Sequence, residues 1–64
     1  MRWTDIRDIA IELAEQYPDV EPLKLSFEKM HAMICNLDAF DDDPEASNEK
    51  ILESILMAWL EEIG

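Results

Sequence analysis

Apolar residues recur at steps of three and four along the first seventeen positions: Trp3, Ile6, Ile9, Ala10, Leu13 and Tyr17. That spacing returns each side chain to one face of an α-helix and predicts a helix from Thr4 to about Gln16. Thr4 is the expected N-cap, with Asp5 and Asp8 near the positive end of the helix dipole. Pro18 stops the helix, because a residue preceding proline disfavours helical backbone. Tyr17-Pro18-Asp19 then reads as a turn. Residues 19 to 25 form a connector through which Pro22 lets no helix run. Val20, Leu23 and Leu25 are expected to dock it on the core in extended form, with at most a very short strand.

A second helix is predicted from the Ser26 N-cap to about Leu37, burying Phe27, Met30, Ile34 and Leu37. Three consecutive aspartates, Asp41 to Asp43, disfavour a helix interior. The stretch from Asp38 to Pro44 is therefore a loop, with Phe40 as its apolar anchor. The third helix starts either at Pro44, capped by Asp43, or a turn later, capped by Ser47 or Asn48. It runs to about Glu62. Its apolar face (Ile51, Leu52, Ile55, Leu56, Trp59, Leu60 and Ile63) is broad enough to make it the central element. The expected fold is all-α: one domain over residues 1–64, with three helices around one core. Trp3, Ile6, Leu13, Phe27, Met30, Ile34, Phe40, Leu52, Ile55, Leu56 and Trp59 are expected inside.

Sixty-four residues allow a single, thin-cored domain. An enclosed catalytic pocket is hard to build in about two layers of structure. Sixteen acids against five bases give a formal net charge of -11. Such a charge repels DNA, RNA and anionic membranes, and leaves cations or a basic protein surface as partners. An apolar fraction of 48% is too high for a disordered acidic tail. A single cysteine, Cys35, cannot pair within the chain, which points to a reducing compartment. With no signal-peptide run at the N-terminus and no stretch of membrane-span length, a cytoplasmic monomer is the expectation.

Groups for catalysis are scarce. His31 and Cys35 lie four apart on one helix face and can touch. No orienting third group or oxyanion hole is visible in the sequence. The pair is half of a tetrahedral zinc set, without further Cys or His to complete it. One thiolate does not hold an iron–sulfur cluster, so no bound cluster is expected. The hydroxyls of Thr4, Ser26 and Ser47 are better explained as caps or turns. No catalytic residue is assigned.

The acids are patterned. Asp5, Asp8, Glu12 and Glu15 step by three, four and three, so they stack on one stripe of the first helix. Like charges at those spacings repel by a few tenths, roughly 0.2–0.5 kcal/mol, per pair. A stripe that keeps them is either a solvated face or a field with a use. Asp41, Asp42 and Asp43, followed by Glu45, Glu49 and Glu53, crowd the start of the third helix. Carboxylate oxygens suit hard cations, including oxygen-ligated iron. Any site there is open and weak, with Asp41, Asp42, Asp43, Glu45 and Glu49 as its candidate ligands.

The runs Phe40-Asp41-Asp42-Asp43-Pro44, Ala46 to Glu53, Ile55-Leu56 and Trp59-Leu60 resemble the IscX family. Trp3-Thr4-Asp5, the Tyr17-Pro18-Asp19 turn and Met30-His31 with Ile34-Cys35 match as well. The resemblance covers essentially the whole chain, and departs at Ala39, where another acid is the norm. It implies a small helical fold likened to a modified winged helix. It also implies a non-enzymatic accessory role in iron–sulfur cluster assembly, in which the chain binds the cysteine desulfurase IscS and binds iron weakly. Such a protein acts as iron donor or regulator, competing with frataxin and ferredoxin for its partner. The partner-facing acids would be Asp5, Asp8, Glu12, Glu15 and Asp41 to Asp43. Two alternatives stay open: a docking module without an iron role, and an acidic mimic of nucleic acid.

Overall fold

Helix formation begins one residue later than a Thr4 cap predicts. In the computed structural model, which describes residues 1–64, the Asp5 amide donates to the Arg2 carbonyl at 2.9 Å. The Arg2 amide donates back to Oδ2 of Asp5 at 3.0 Å. This reciprocal turn makes Asp5 the N-cap of α1 (Ile6–Gln16). At the other end, the Tyr17 amide reaches the Leu13 carbonyl at 2.9 Å, and the Val20 amide closes on the Tyr17 carbonyl at 3.3 Å. Pro18 thus takes the second position of a β-turn, where its fixed φ fits.

The connector is not extended. Pro22 opens a single 3-10 turn, Pro22–Lys24. Its missing amide costs nothing there, because the first position of a helical turn has no intrahelical acceptor. Pro22 is buried, and Val20 and Leu25 are half-buried against the core. Leu23 does not dock: it is 75% exposed, because the tight turn sends it outward instead of alternating it inward.

Helix α2 (Phe27–Cys35) is capped as predicted, with Ser26 Oγ accepting from the Lys29 amide at 3.2 Å. It ends short of Leu37, where the Asn36 amide donates to the carbonyls of Ala32 and Met33. Leu37 stays buried in the turn that follows. Both proposed starts of the third helix exist in succession. Asp43 caps a second 3-10 turn, Pro44–Ala46, and Asn48 then caps α3 (Glu49–Ile63), its Oδ1 accepting from the Ile51 amide at 2.9 Å.

The chain contains three α-helices and no β-strand. Helix α3 meets α1, α2 and the first 3-10 turn, and α1 is its main partner. One apolar cluster lies between them, centred on Trp3, Ile9, Leu13, Met30, Ile34, Ile55 and Trp59. Ala10, Leu37, Leu52 and Ala58 complete it. Ile6, Phe27, Phe40 and Leu56, expected inside, are half-buried around its edge. The small Ala10 and Ala58 take interior positions instead, which permits close approach of the helices. No helix is long and apolar enough to cross a membrane.

Candidate functional site

The aspartate loop is held by the N-terminal segment. The Met1 carbonyl accepts from the Asp41 amide at 2.9 Å. The terminal ammonium donates to the Ala39 carbonyl and lies 3.3 Å from Oδ1 of Asp41. Asp42 Oδ2 accepts from the Trp3 amide at 3.1 Å and its Oδ1 from the Asp43 amide at 2.7 Å. The bond from the Trp3 amide, then that from Asp43, hold the Asp42 carboxyl below the usual aspartate range; Arg2 and the terminal amine add to this. Asp43 Oδ1 accepts from the Glu45 amide at 2.9 Å.

The three consecutive aspartates therefore do not point at a common centre. Asp42 is committed to backbone amides and is half-buried, while Asp41 and Asp43 expose an edge to solvent. Glu45 and Glu49 are exposed on separate elements, the second 3-10 turn and the first turn of α3. The donor set is hard, oxygen-only and spread along a rim.

An aromatic stack lies beneath this loop. The Trp3 ring stacks on His31, with centroids 5.3 Å apart and planes at 23°. Phe40 meets it edge-on at 4.7 Å and 69°. Trp3 Nε1 donates to the Asp43 carbonyl at 2.8 Å. His31 Nε2 donates to the Pro44 carbonyl at 2.7 Å. Since a carbonyl only accepts, Nε2 carries a proton, and Nδ1 faces Cys35 Sγ at 3.9 Å. The orienting group that the sequence did not reveal is thus a backbone carbonyl. Cys35 is half-buried, and that burial raises its pKa, so it stays a thiol at neutral pH. These contacts give His31 the work of joining α2 to the loop.

The stripe on α1 is less uniform than its spacing implies. Asp5 is the exposed N-cap, and Asp8 and Glu15 are exposed. Glu12 is half-buried in a polar cleft with Gln16, Tyr17, Asn36 and Asp38. Ion pairs join Arg7 to Glu61 and Glu62, Lys24 to Glu21, and the N-terminus to Asp41. None of them neutralises the α1 stripe. The Trp3–His31–Phe40 stack escaped sequence reasoning, since stacking across 28 and 37 residues leaves no local pattern.

Comparison with known proteins places these features in a family. A protein of Pseudomonas aeruginosa described as uncharacterized is 44% identical over 62 residues, covering 97% of this chain and 94% of its own length. A family model described as iron–sulphur cluster assembly matches residues 1–64. The chain belongs to this iron–sulphur cluster assembly family, the IscX family that its sequence resembles.

Proposed function

We propose that the chain is a non-catalytic accessory protein that docks through its acids on a basic patch of the cysteine desulfurase IscS. The observation that carries this reading is the unneutralised stripe on α1, on a chain of net charge -11 that belongs to an assembly family. Asp5, Asp8, Glu12 and Glu15 supply the field, and the exposed edge of the Asp41 to Asp43 loop extends it. Complementary charge mainly speeds encounter and selects the partner, while apolar contacts hold the complex. Frataxin and ferredoxin, the competitors that the family resemblance implies, would compete for it.

Iron in this reading is cargo, held weakly by hard oxygen donors. Asp41, Asp43, Glu45 and Glu49 are the accessible ligands. Asp42 is the least available, because backbone amides already occupy its oxygens.

Calorimetry against purified IscS tests the docking. The wild type should bind, and Asp8→Lys with Glu15→Lys should weaken binding by about tenfold or more, as loss of steering and of close charge pairs does. Equal affinity for both proteins would remove the stripe from the interface. For the cargo, anaerobic titration with Fe²⁺ followed by NMR should broaden Asp41, Asp43, Glu45 and Glu49 first. Broadening confined to His31 and Cys35 would place iron elsewhere.

A further inference from the structure

The fold leaves three large apolar side chains exposed: Leu23 at 75%, Met57 at 63% and Ile63 at 48%. Single exposed aliphatics need no explanation. Leu23 and Ile63, however, line the same groove, together with Val20 and Leu60. They reach it from distant parts of the chain: the first 3-10 turn supplies one wall, and the last turn of α3 the other. The departure of the connector from an extended path is what puts Leu23 there.

The rim of the groove is acidic. Asp19 and Glu21 stand in its wall. Glu61 and Glu62 lie in the same helical turn as Leu60 and Ile63, and that turn has no basic residue of its own to offset the negative end of the α3 dipole. The nearby cations are held only by solvent-exposed bridges, Lys24 to Glu21 at 3.2 Å and Arg7 to Glu61 and Glu62 at 3.7 and 3.2 Å. Exposed pairs of this kind are worth little and exchange readily. A second copy of the chain fits poorly, since two acidic rims would face each other between proteins of charge -11 each.

We propose that this groove docks a basic segment of a partner protein. One large aliphatic or aromatic side chain seats between Leu23 and Ile63, and flanking Lys or Arg residues reach Asp19, Glu21 and the acidic end of α3. The inference goes beyond the desulfurase reading and does not rest on it, because the groove uses none of the α1 stripe or the aspartate loop.

The probe is a blocked peptide with lysines on both sides of a central Leu-Phe pair, titrated into labelled protein and followed by NMR. Saturable shifts are expected at Val20, Leu23, Leu60 and Ile63. Replacing Leu-Phe by Ser-Ser should weaken binding by about tenfold or more, the factor that burial of one large apolar side chain supports. Leu23→Ser should do the same to the parent peptide without unfolding the domain, given how exposed Leu23 is. Equal affinity of the two peptides, or of wild type and Leu23→Ser, would overturn the proposal and leave only diffuse charge attraction. Concentration-dependent shifts of Leu23 and Ile63 without peptide would overturn it in favour of self-association. The result is independent of calorimetry with IscS, so either reading can fail alone.

Discussion

At the scale of single residues the two tryptophans make a contrast. Both are buried, Trp3 at 2% and Trp59 at 0% exposure. Trp3 Nε1 donates to the Asp43 carbonyl, whereas Trp59 Nε1 is buried with no hydrogen-bond partner. Replacement by Phe removes the same atoms at either site but has opposite polar effects. Trp3→Phe loses a hydrogen bond; Trp59→Phe removes an unsatisfied donor. With similar packing losses, Trp3→Phe should be the more destabilising by about 1–3 kcal/mol, and paired denaturant melts check the order. Asp42 adds a pH dependence of definite sign. Its carboxyl titrates lower in the folded chain than in the unfolded one, so the unfolded state takes up the proton first as pH falls. The stabilisation is full above the ordinary aspartate pKa of about 3.9 and is lost below it, as pH passes through the depressed folded value. The gap in melting temperature between wild type and Asp42→Asn should therefore be widest at about pH 6 and close below about pH 4. A gap that persists at low pH would mean that Asp42 acts by shape and not by charge.

At the scale of elements, residues adjacent on α3 should behave differently. Ile55 is fully buried, so Ile55→Ala should cost about 2–5 kcal/mol. Leu56 is half-buried, and Leu56→Ala should cost less, about 2 kcal/mol at most. Equal losses would mean that the edge of the core is as tightly packed as its centre. The sequence pattern made Leu56 look as interior as Ile55, because periodicity defines a face without saying where its edge falls. The three helices were legible for the same reason: each has an apolar repeat and a local stop or cap, such as Pro18, Ser26 or Asn48. The 3-10 turns were not. Pro22 reads equally as the start of a turn or as part of an extended segment, and only packing against α3 decides between them. The α1 acids were legible as a stripe, but the half-burial of Glu12 depends on Tyr17 and Asp38 closing around it. Likewise the run of aspartates could be seen as a cluster of charge. That Asp42 and Asp43 serve backbone amides depends on the N-terminal segment folding across the loop and on the turn at Pro44.

At the scale of the whole molecule, charge opposes folding and, under the proposed function, favours docking. The longest dimension is 28 Å. At about 0.01 M salt the Debye length is about 30 Å, so every acid repels every other; at physiological salt it is about 8 Å, and only neighbours interact. Self-repulsion at net charge -11 opposes the compact state. Salt should therefore raise the melting temperature between about 0.01 and 0.15 M while weakening attachment to a basic partner over the same range. The variant Asp8→Lys with Glu15→Lys separates the two effects. Each reversal removes one negative charge and adds one positive, so the two together take the net charge from -11 to -7. A lysine at position 8 would sit unfavourably near the positive end of the α1 dipole, but one at position 15 would lie near the negative end, where α1 has no basic residue. Those dipole effects are about 0.3–1 kcal/mol each and offset. What remains is relief of repulsion, so at low salt the variant should melt no lower than wild type while binding IscS more weakly. A domain that gains or keeps stability as it loses its partner holds those acids for docking. A variant that melts lower yet binds equally well would instead assign the stripe to the fold.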